Sequence, residues 1–351
     1  MTLAPPPSFA PPGWLVNAHL QSIVPSLRLR RPLVARRARQ MLACAQTQIV
    51  ECGAGVRLLG HYSSQVAAGR PPARDLAVLL HGWEGSADSL YVLSLGSHLF
   101  ELGCDVYRLN FRDHGPSHHL NEEIFHSCRL DEVVGAVRAI QRALPQPRMT
   151  IAGFSLGGNF MLRVAAQAGA AGLNLSRVIA VSPVLEPVET LAALQRGMPG
   201  YEAYFVRKWL RSLRRKAECW PDCYDFTQLA RMRDLKLMTA ELVRHHSEFP
   251  SLEDYLNGYA ITGERLASLE VPSNILTSLD DPIIPASALA RLARPPSLSL
   301  TLTRYGGHCG FFERLRGPTW LEQRILRLLG ADAPRPLSPG EGAGVELRET
   351  S

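Results

Sequence analysis

At the middle of the chain stands the stretch Met149-Thr-Ile-Ala-Gly-Phe-Ser-Leu-Gly-Gly-Asn159. Its apolar start, Met149 to Ala152, is typical of a short buried strand, and the residues from Asn159 onward have helical spacing. A serine bracketed by glycines between a strand and a helix is the pattern of a nucleophile elbow. Such a turn holds Ser155 in a strained conformation with its hydroxyl clear of the sheet, and it leaves no room for neighbouring side chains. An ordinary strand-to-helix turn is the alternative.

The composition is that of a globular protein with a large core. The chain has 351 residues, 46% of them hydrophobic, which fits one α/β domain with an insertion. The formal charge is +6, but arginine is scattered along the chain. One dense basic stretch, residues 207–216, has apolar residues at helical spacing, so we expect an amphipathic helix with a solvated basic face. Weak contact with a membrane surface through this helix stays open, whereas no motif for nucleic acid accompanies the charge.

Cysteine usage indicates a reducing compartment. The seven cysteines are irregularly spaced, so we expect a cytoplasmic protein without a disulfide framework. The proline-rich start of the chain does not have the pattern of a signal peptide, and no apolar run approaches the length of a membrane span. Cys219 and Cys223 are followed at some distance by His245 and His246, and no second cysteine pair or tight histidine spacing completes a zinc site. We therefore expect neither a metal nor a cofactor.

Strand and helix patterns alternate along most of the chain, which predicts a mostly parallel central sheet with helices on both faces. Two edge strands in a hairpin, a central strand at Leu76–Leu80, and a helix capped by Asp88 come first. The alternation stops for a helical, aromatic-rich stretch, interpreted as an inserted cap over the sheet; longer connecting helices are the alternative. The predicted segments are an irregular N-terminal arm packing on the core (1–46), the first part of the core (47–183), the helical cap (184–268), the second part of the core (269–330) and a disordered tail (331–351).

A glycine-rich turn, His81-Gly-Trp-Glu-Gly-Ser86, follows the central strand directly. Backbone amides in such a turn can face a cleft, and Trp83 is the natural donor. The amide of Leu156, next to the serine, would be the second. Two such amides form an oxyanion hole, which stabilises the negative charge that develops in acyl transfer.

A histidine-rich turn follows the strand at Asp105–Phe111. His114, His118 and His119 lie in this turn, at the same end of the sheet as the serine. A catalytic histidine at this point would not agree with the chain order of the remaining candidates. We interpret the three as loop residues with a substrate-side role left open.

The late part of the chain contains candidate acids and a histidine whose order along the sequence indicates a catalytic triad. Asp280 and Asp281 follow one predicted strand, and His308 lies in a glycine-flanked loop after the last strand. Ser155, an aspartate and His308 thus have the chain order of a Ser-Asp-His triad, and all three lie at the carboxyl ends of strands. Asp281 is favoured as the acid because it is the last residue before the turn, with Asp280 as the alternative.

The sequence resembles the YheT-like family of α/β hydrolases, which includes plant embryogenesis-associated proteins and the mammalian abhydrolase domain proteins 1 and 3. Beyond the elbow, the glycine-rich turn and the triad, the resemblance is carried by Asn17-Ala-His-Leu-Gln-Ser-Ile23 in the arm and Asn110-Phe-Arg112. The resemblance implies the α/β-hydrolase fold and an esterase or lipase-like activity. This chain departs from the family pattern at Ala18, Ser22 and Asp113-His114, outside the triad.

These patterns together predict a serine hydrolase that cleaves carboxylic esters of small-molecule substrates through an acyl-enzyme. Ser155 would be the nucleophile, His308 the general base and Asp281 the residue that orients it. Acyl transfer or thioester hydrolysis would use the same residues. A catalytically silent hydrolase fold that binds a ligand or a membrane surface is the alternative from another class.

Overall fold

The computed structural model describes residues 9–144, 146–198 and 200–330. The predicted disordered tail at 331–351 and the first eight residues of the arm lie outside these ranges. Within them, no helix combines the length and the apolar character needed to cross a membrane. The predicted cytoplasmic location stays a prediction.

Eight strands form one sheet at the centre of the molecule. In chain order they are β1 (Ala45–Gly53), β2 (Val56–Ser63), β3 (Asp75–Leu80), β4 (Asp105–Leu109), β5 (Arg148–Phe154), β6 (Arg177–Val181), β7 (Ser273–Ser278) and β8 (Leu298–Thr303). Their order across the sheet is β1-β2-β4-β3-β5-β6-β7-β8. Only β2 runs against the others, since it pairs antiparallel with both β1 and β4 while the remaining pairs are parallel. The predicted mostly parallel sheet is confirmed.

Helices cover both faces of this sheet. They are α1 (Ala18–Ile23), α2 (Arg31–Ala43), α3 (Leu90–Glu101), α4 (Leu130–Ala143), α5 (Leu156–Ala166), α6 (Ala168–Ala171), α7 (Pro187–Arg196), α8 (Gly200–Cys219), α9 (Leu235–His246), α10 (Leu252–Gly258) and α11 (Trp320–Gly330). Because side chains alternate along a strand, β3 contributes to two cores. Ala77 and Leu79 pack with α2, α3 and α11, whereas Val78 and Leu80 pack with α4 and α5.

The arm is more regular than predicted. It contains the helices α1 and α2, and α2 buries Val34, Ala38 and Met41 against α3. The expectation of an irregular arm was wrong because three apolar residues at spacings of four and three form a helical stripe among the arginines. The second strand of the hairpin, β2, is not an edge strand because it pairs with β4.

The predicted N-cap of α3 was also wrong. The helix begins at Leu90, and Ser89 occupies the N-cap position. The carboxylate of Asp88 instead accepts a hydrogen bond from the buried guanidinium of Arg108 at 2.8 Å. The buried charge of Arg108 needs a partner, whereas water can bind the free amides at the start of α3. Asp88 therefore pairs with Arg108 and does not cap the helix.

Helices α7 to α10 lie between β6 and β7, in the stretch that was interpreted as a cap. The predicted amphipathic helix is α8, which buries Val206, Trp209 and Leu213. Lys216 was expected on the solvated basic face but is 1% exposed. Its ammonium group donates to a carboxylate oxygen of Asp113 at 2.9 Å and to two backbone carbonyl oxygens. This ion pair joins α8 to the turn that follows β4.

Breaking this pair should destabilise the protein strongly. Burial raises the pKa of Asp113 to about 6, although the charge of Lys216 opposes this rise. In Lys216→Met the carboxylate of Asp113 loses this buried partner. We expect the free energy of unfolding to fall by about 3–5 kcal/mol, measured by urea denaturation at pH 8. The control is Arg214→Met on the exposed side of the same helix, which should change it by less than about 0.5 kcal/mol. Equal stability of the two variants would contradict the prediction.

Candidate active site

Ser155 lies in the sharp turn between β5 and α5. Its backbone has φ 53° and ψ −118°, a conformation that costs free energy for a residue with a side chain. A Cβ atom on Gly153 would overlap the backbone of Gly157, and one on Gly157 would overlap the carbonyl oxygens of Leu80 and His81. The two glycines are therefore required by close approach of the backbone, and the turn has the geometry expected of a nucleophile elbow.

Both sides of the elbow are tied to regular structure. The amide of Ser155 donates to the carbonyl oxygen of Val181 at 2.8 Å, at the end of β6. Helix α5 begins at Leu156, so the amide of Leu156 belongs to the first turn, where helical N–H groups lack partners within the helix. The positive end of the helix dipole thus lies beside the serine.

His308 and Asp281 form a hydrogen-bonded pair. The Nδ1 atom of His308 lies 2.8 Å from Oδ2 of Asp281. The other carboxylate oxygen accepts from the amides of Ile283 and Ile284, each at 2.9 Å. The side chain of Asp281 is 0% exposed and that of His308 is 13% exposed. The carboxylate is therefore held at a fixed angle to the Nδ1 side of the His308 ring.

The electrostatic balance at His308 favours the protonated ring. Burial acts to lower the pKa of His308, but the negative charge and hydrogen bond of Asp281, together with the neighbouring Cys309, outweigh burial and raise the pKa well above its ordinary value. A raised pKa makes the imidazole a stronger base once it has lost its proton. The pair can thus accept a proton and stabilise the cation that forms.

Asp280 has a different position from its neighbour. One of its carboxylate oxygens accepts from the amide of Gly307 at 2.9 Å, which supports the turn before His308. The other is buried without a hydrogen-bond partner among the described residues. Asp281, and not Asp280, is the residue hydrogen-bonded to the ring of His308.

The arm holds the loop of His308 from outside the sheet. The hydroxyl of Ser22 accepts from the amide of His308 at 2.8 Å and donates to the carbonyl oxygen of Ala18 at 2.7 Å. The side chain of Gln21, fully buried, donates to and accepts from the backbone of Phe312. A Cβ atom on Gly307 would overlap the carbonyl oxygen of Ala18, so α1 and this loop are in direct contact. Sequence reasoning missed these roles, although the arm stretch that carries the family resemblance contains both polar residues.

The glycine-rich turn lies directly against the elbow. A Cβ atom on Gly82 would come within 3.2 Å of the Cβ atom of Ser155. Glu84 has φ 54°, and its amide donates to Nε2 of His114 at 3.1 Å. The indole ring of Trp83 stacks on Phe205 of α8 at 5.3 Å between centroids. The amides of Trp83 and Leu156 therefore belong to the two turns that flank the serine, and their role as oxyanion donors stays a prediction.

The buried histidines near this turn are structural supports. His81 accepts from the amide of Phe111 and pairs with the carbonyl oxygen of Gly82, so it is a neutral ring with both nitrogens occupied. Burial lowers its pKa to about 4, and burial lowers the pKa of His114 well below the ordinary value. The ring of His118 pairs with the hydroxyl of Ser212 at 2.9 Å. His114 and His118 also line the cavity described next. The substrate-side role that the sequence left open for them therefore stays open.

A cavity of about 900 Å³ opens over the elbow. Ser155, Leu156, Trp83 and His308 all line it, and Asp281 lies behind His308. The remaining walls come mostly from α7 to α10 and from the arm. Among the residues that the structure describes, no group of three or more histidine, cysteine, aspartate or glutamate side chains is arranged to hold a metal ion. The site therefore combines a strained serine, a histidine paired with a buried carboxylate, and a partly enclosed space for a substrate.

Comparisons with known proteins agree with this fold. A family model described as the alpha/beta hydrolase fold matches residues 77–315. The putative esterase YheT of Escherichia coli K12 is 25% identical over 327 residues, which cover 90% of this chain and 91% of that protein. Phospholipase ABHD3 of Mus musculus is 22% identical over 68% of this chain and 59% of that protein. The Pyrococcus furiosus esterase PF2001 has a TM-score of 0.56 at 15% identity, over 82% of this chain and 90% of that chain. The resemblance proposed from the sequence is confirmed.

Removing the hydroxyl of Ser22 should misplace His308 without unfolding the protein. In Ser22→Ala the amide of His308 loses its acceptor, and a shift of the ring by a fraction of an ångström lowers reactivity at Ser155. We expect the rate of covalent labelling by a fluorophosphonate to fall about 10-fold or more, with an unchanged thermal transition. Ser22→Thr keeps the hydroxyl and should restore the rate. Equal labelling of the alanine and threonine variants would show that the bond has no positioning role.

Proposed function

Because the chain belongs to the α/β-hydrolase family and is a hydrolase, we propose that it cleaves carboxylic esters with Ser155, His308 and Asp281 as its catalytic triad. The observation that carries the proposal is the geometry around one cavity. Ser155 stands in a strained elbow, and His308 lines the same cavity with its Nδ1 atom 2.8 Å from a fully buried carboxylate. The relatives that are named esterase and phospholipase support an ester as the substrate.

In the first half of the reaction an acyl-enzyme forms. The hydroxyl oxygen of Ser155 attacks the ester carbonyl carbon while His308 takes the hydroxyl proton at its free nitrogen. The carbonyl oxygen becomes an oxyanion, which the amides of Trp83 and Leu156 stabilise by hydrogen bonds. The bond to the alcohol oxygen then breaks, and His308 returns the proton to the leaving alcohol. The product left on the enzyme is an ester of Ser155.

In the second half water releases the acid. His308, neutral again, takes a proton from water, and the hydroxide attacks the acyl carbon. The tetrahedral intermediate collapses with return of the proton to the oxygen of Ser155. Throughout, the charge of Asp281 stabilises the imidazolium, and its two backbone hydrogen bonds keep the carboxylate from rotating.

The walls of the cavity suit an acyl chain. Helices α7, α9 and α10 contribute aliphatic and aromatic side chains around the elbow, among them Leu191, Leu194, Leu242, Val243 and Leu256. Burying each methylene of an acyl chain against such walls stabilises the complex by about 0.8 kcal/mol. Short- to medium-chain acyl esters are therefore the substrates that we propose.

Ser155→Ala should abolish hydrolysis of 4-nitrophenyl acyl esters. Loss of the nucleophile is expected to lower kcat by about 10⁴-fold or more. A fluorophosphonate probe should label the wild-type protein at Ser155, as located by mass spectrometry, and leave the variant unlabelled. Ser287→Ala, at an exposed serine outside the cavity, is the control and should keep both properties. Full activity of Ser155→Ala, or labelling at another residue, would refute the proposal; an absence of labelling in wild type would favour a silent binding module.

The pH profile should separate the two aspartates. The base must be neutral, so kcat/KM rises with pH through the pKa of His308, which Asp281 raises. In Asp281→Asn this raising charge is lost, so the rising limb should move to lower pH, and kcat should fall by up to about 10⁴-fold. Asp280→Asn keeps an oxygen for the amide of Gly307 and should leave the limb close to its wild-type position. A larger shift in Asp280→Asn than in Asp281→Asn would reverse the assignment.

A further inference from the structure

One face of helix α8 carries basic side chains along the wall of the catalytic cavity. Arg207, Lys208, Arg211 and Arg215 all line it, at helical spacings that place them on one side of the helix. Together they span about 12 Å, since a helix rises about 1.5 Å per residue. Arg31 of the arm also lines the cavity. Arg207, Arg211 and Arg215 are exposed, as the sequence led us to expect, and the same basic face also borders the cavity.

These cations have no anionic partner within the part of the chain that the structure describes. No carboxylate there lies within 4.0 Å of the four basic groups on this face of α8, and Lys208 contacts only the ring of Tyr204 in a cation–π arrangement at 5.3 Å. Lys216, on the same helix, shows the contrast because its ammonium is buried and fully engaged with Asp113 and two carbonyl oxygens. The charges along the cavity are thus available to a ligand.

The acidic residues of the cavity do not balance this charge. Asp88 is paired with Arg108 and Asp113 with Lys216. The third acid, Glu84, lies in the glycine-rich turn, and burial raises its pKa to about 7 although the charge of Lys208 opposes the rise. Near neutral pH this carboxyl is protonated in a large fraction of molecules. The wall along α8 therefore has an excess of positive charge.

The aromatic residues of α8 lie against the turn beside the elbow. The ring of Trp83, next to the elbow, stacks on Phe205 and contacts Trp209 edge-on, both at 5.3 Å between centroids. These two aromatic residues alternate along α8 with the basic ones. The aliphatic walls come from α7, α9 and α10. The residue after α10, Tyr259, is bound to α5, because the side chain of Asn159 donates to its carbonyl oxygen. The cavity thus has a basic wall and an apolar wall, and Ser155 lines the same cavity.

We propose that the basic face of α8 binds an anionic group, a phosphate or a carboxylate, carried by the alcohol part of the ester substrate while the acyl chain lies against the apolar walls. This inference rests on the proposed function and names its substrate class. Arginine and lysine donors on successive turns suit an anion with several oxygens. In a partly enclosed cavity their attraction is screened less than on an open surface.

Matched soluble esters test the proposal. One pair is 1-octanoylglycerol 3-phosphate and 1-octanoylglycerol; the other is the octanoyl ester of 3-hydroxypropanoate and that of 1,3-propanediol, all below their critical micelle concentrations. We expect kcat/KM for the wild-type protein to be about 10-fold or more higher for the anionic member of at least one pair, an advantage of about 1.4 kcal/mol. The ratio should fall as salt is added, since screening weakens the attraction.

Variants locate the effect on α8. In Lys208→Gln and Arg211→Gln, and more so in the double variant, the ratio of anionic to neutral kcat/KM should fall toward one, mainly through KM. Arg214→Gln removes the same charge from an exposed position on the same helix that is outside the cavity, and it should keep the wild-type ratio. A fall of equal size in Arg214→Gln would mean that only the net charge matters and would overturn the proposal.

Three further results would overturn it in different ways. If the protein hydrolyses both members of each pair at equal rates, the basic face does not select the substrate, whereas the proposed function stands. If such a protein also binds anionic phospholipid vesicles, and this binding weakens more in Arg211→Gln than in Arg214→Gln, the face is a membrane-contact surface. If neither ester is cleaved and no fluorophosphonate labelling occurs, the proposed function itself fails.

Discussion

The site depends on one steric constraint, the approach of the elbow backbone to the end of β3. The residues around Ser155 come so close to Leu80 and His81 that no side chain fits at Gly157. This contact holds the serine against the glycine-rich turn. A Cβ atom on Gly82 would therefore lie only 3.2 Å from the Cβ atom of Ser155. The strained φ of Ser155 persists because parallel strands on both sides determine where β5 ends. Ser155 and the glycine-rich turn are thus positioned by the sheet rather than by flexible loops.

The histidine needs more support, because its loop follows the edge strand β8. It is held from three directions: by Asp281 at the ring, by Asp280 at the amide of Gly307, and by Ser22 at its own amide. The last of these comes from a segment almost 290 residues away in the chain. A residue that must shuttle a proton needs its ring fixed to a fraction of an ångström, and a loop alone does not provide this. The arm therefore belongs to the machinery of the site, and it is more than a covering of the core.

The sequence predicted what is local and missed what is long-range. The strands, the elbow and the chain order of Ser155, Asp281 and His308 follow from periodicity and short motifs. The burial of Lys216 does not, since a lysine in a basic run gives no sign that Asp113, over 100 residues earlier, will meet it. The helix α2 was missed because six arginines in and just before it mask a narrow apolar stripe. The position of the basic face also depends on how α8 packs. Hydrophobic spacing shows which side of the helix is buried, but it does not show which part of the protein lies beside the polar side.

The packing of α8 connects the chemistry to the choice of substrate. The aromatic residues Phe205 and Trp209 hold the helix against Trp83, so the orientation of its basic face is set by the same contact that covers the oxyanion turn. A change in the basic side chains leaves this aromatic contact in place, because the two sets occupy different positions on the helix. Substrate recognition can therefore vary while the sheet, the elbow and the histidine loop stay fixed. This separation allows one hydrolase framework to change its specificity through the insertion between β6 and β7 without a change in the sheet.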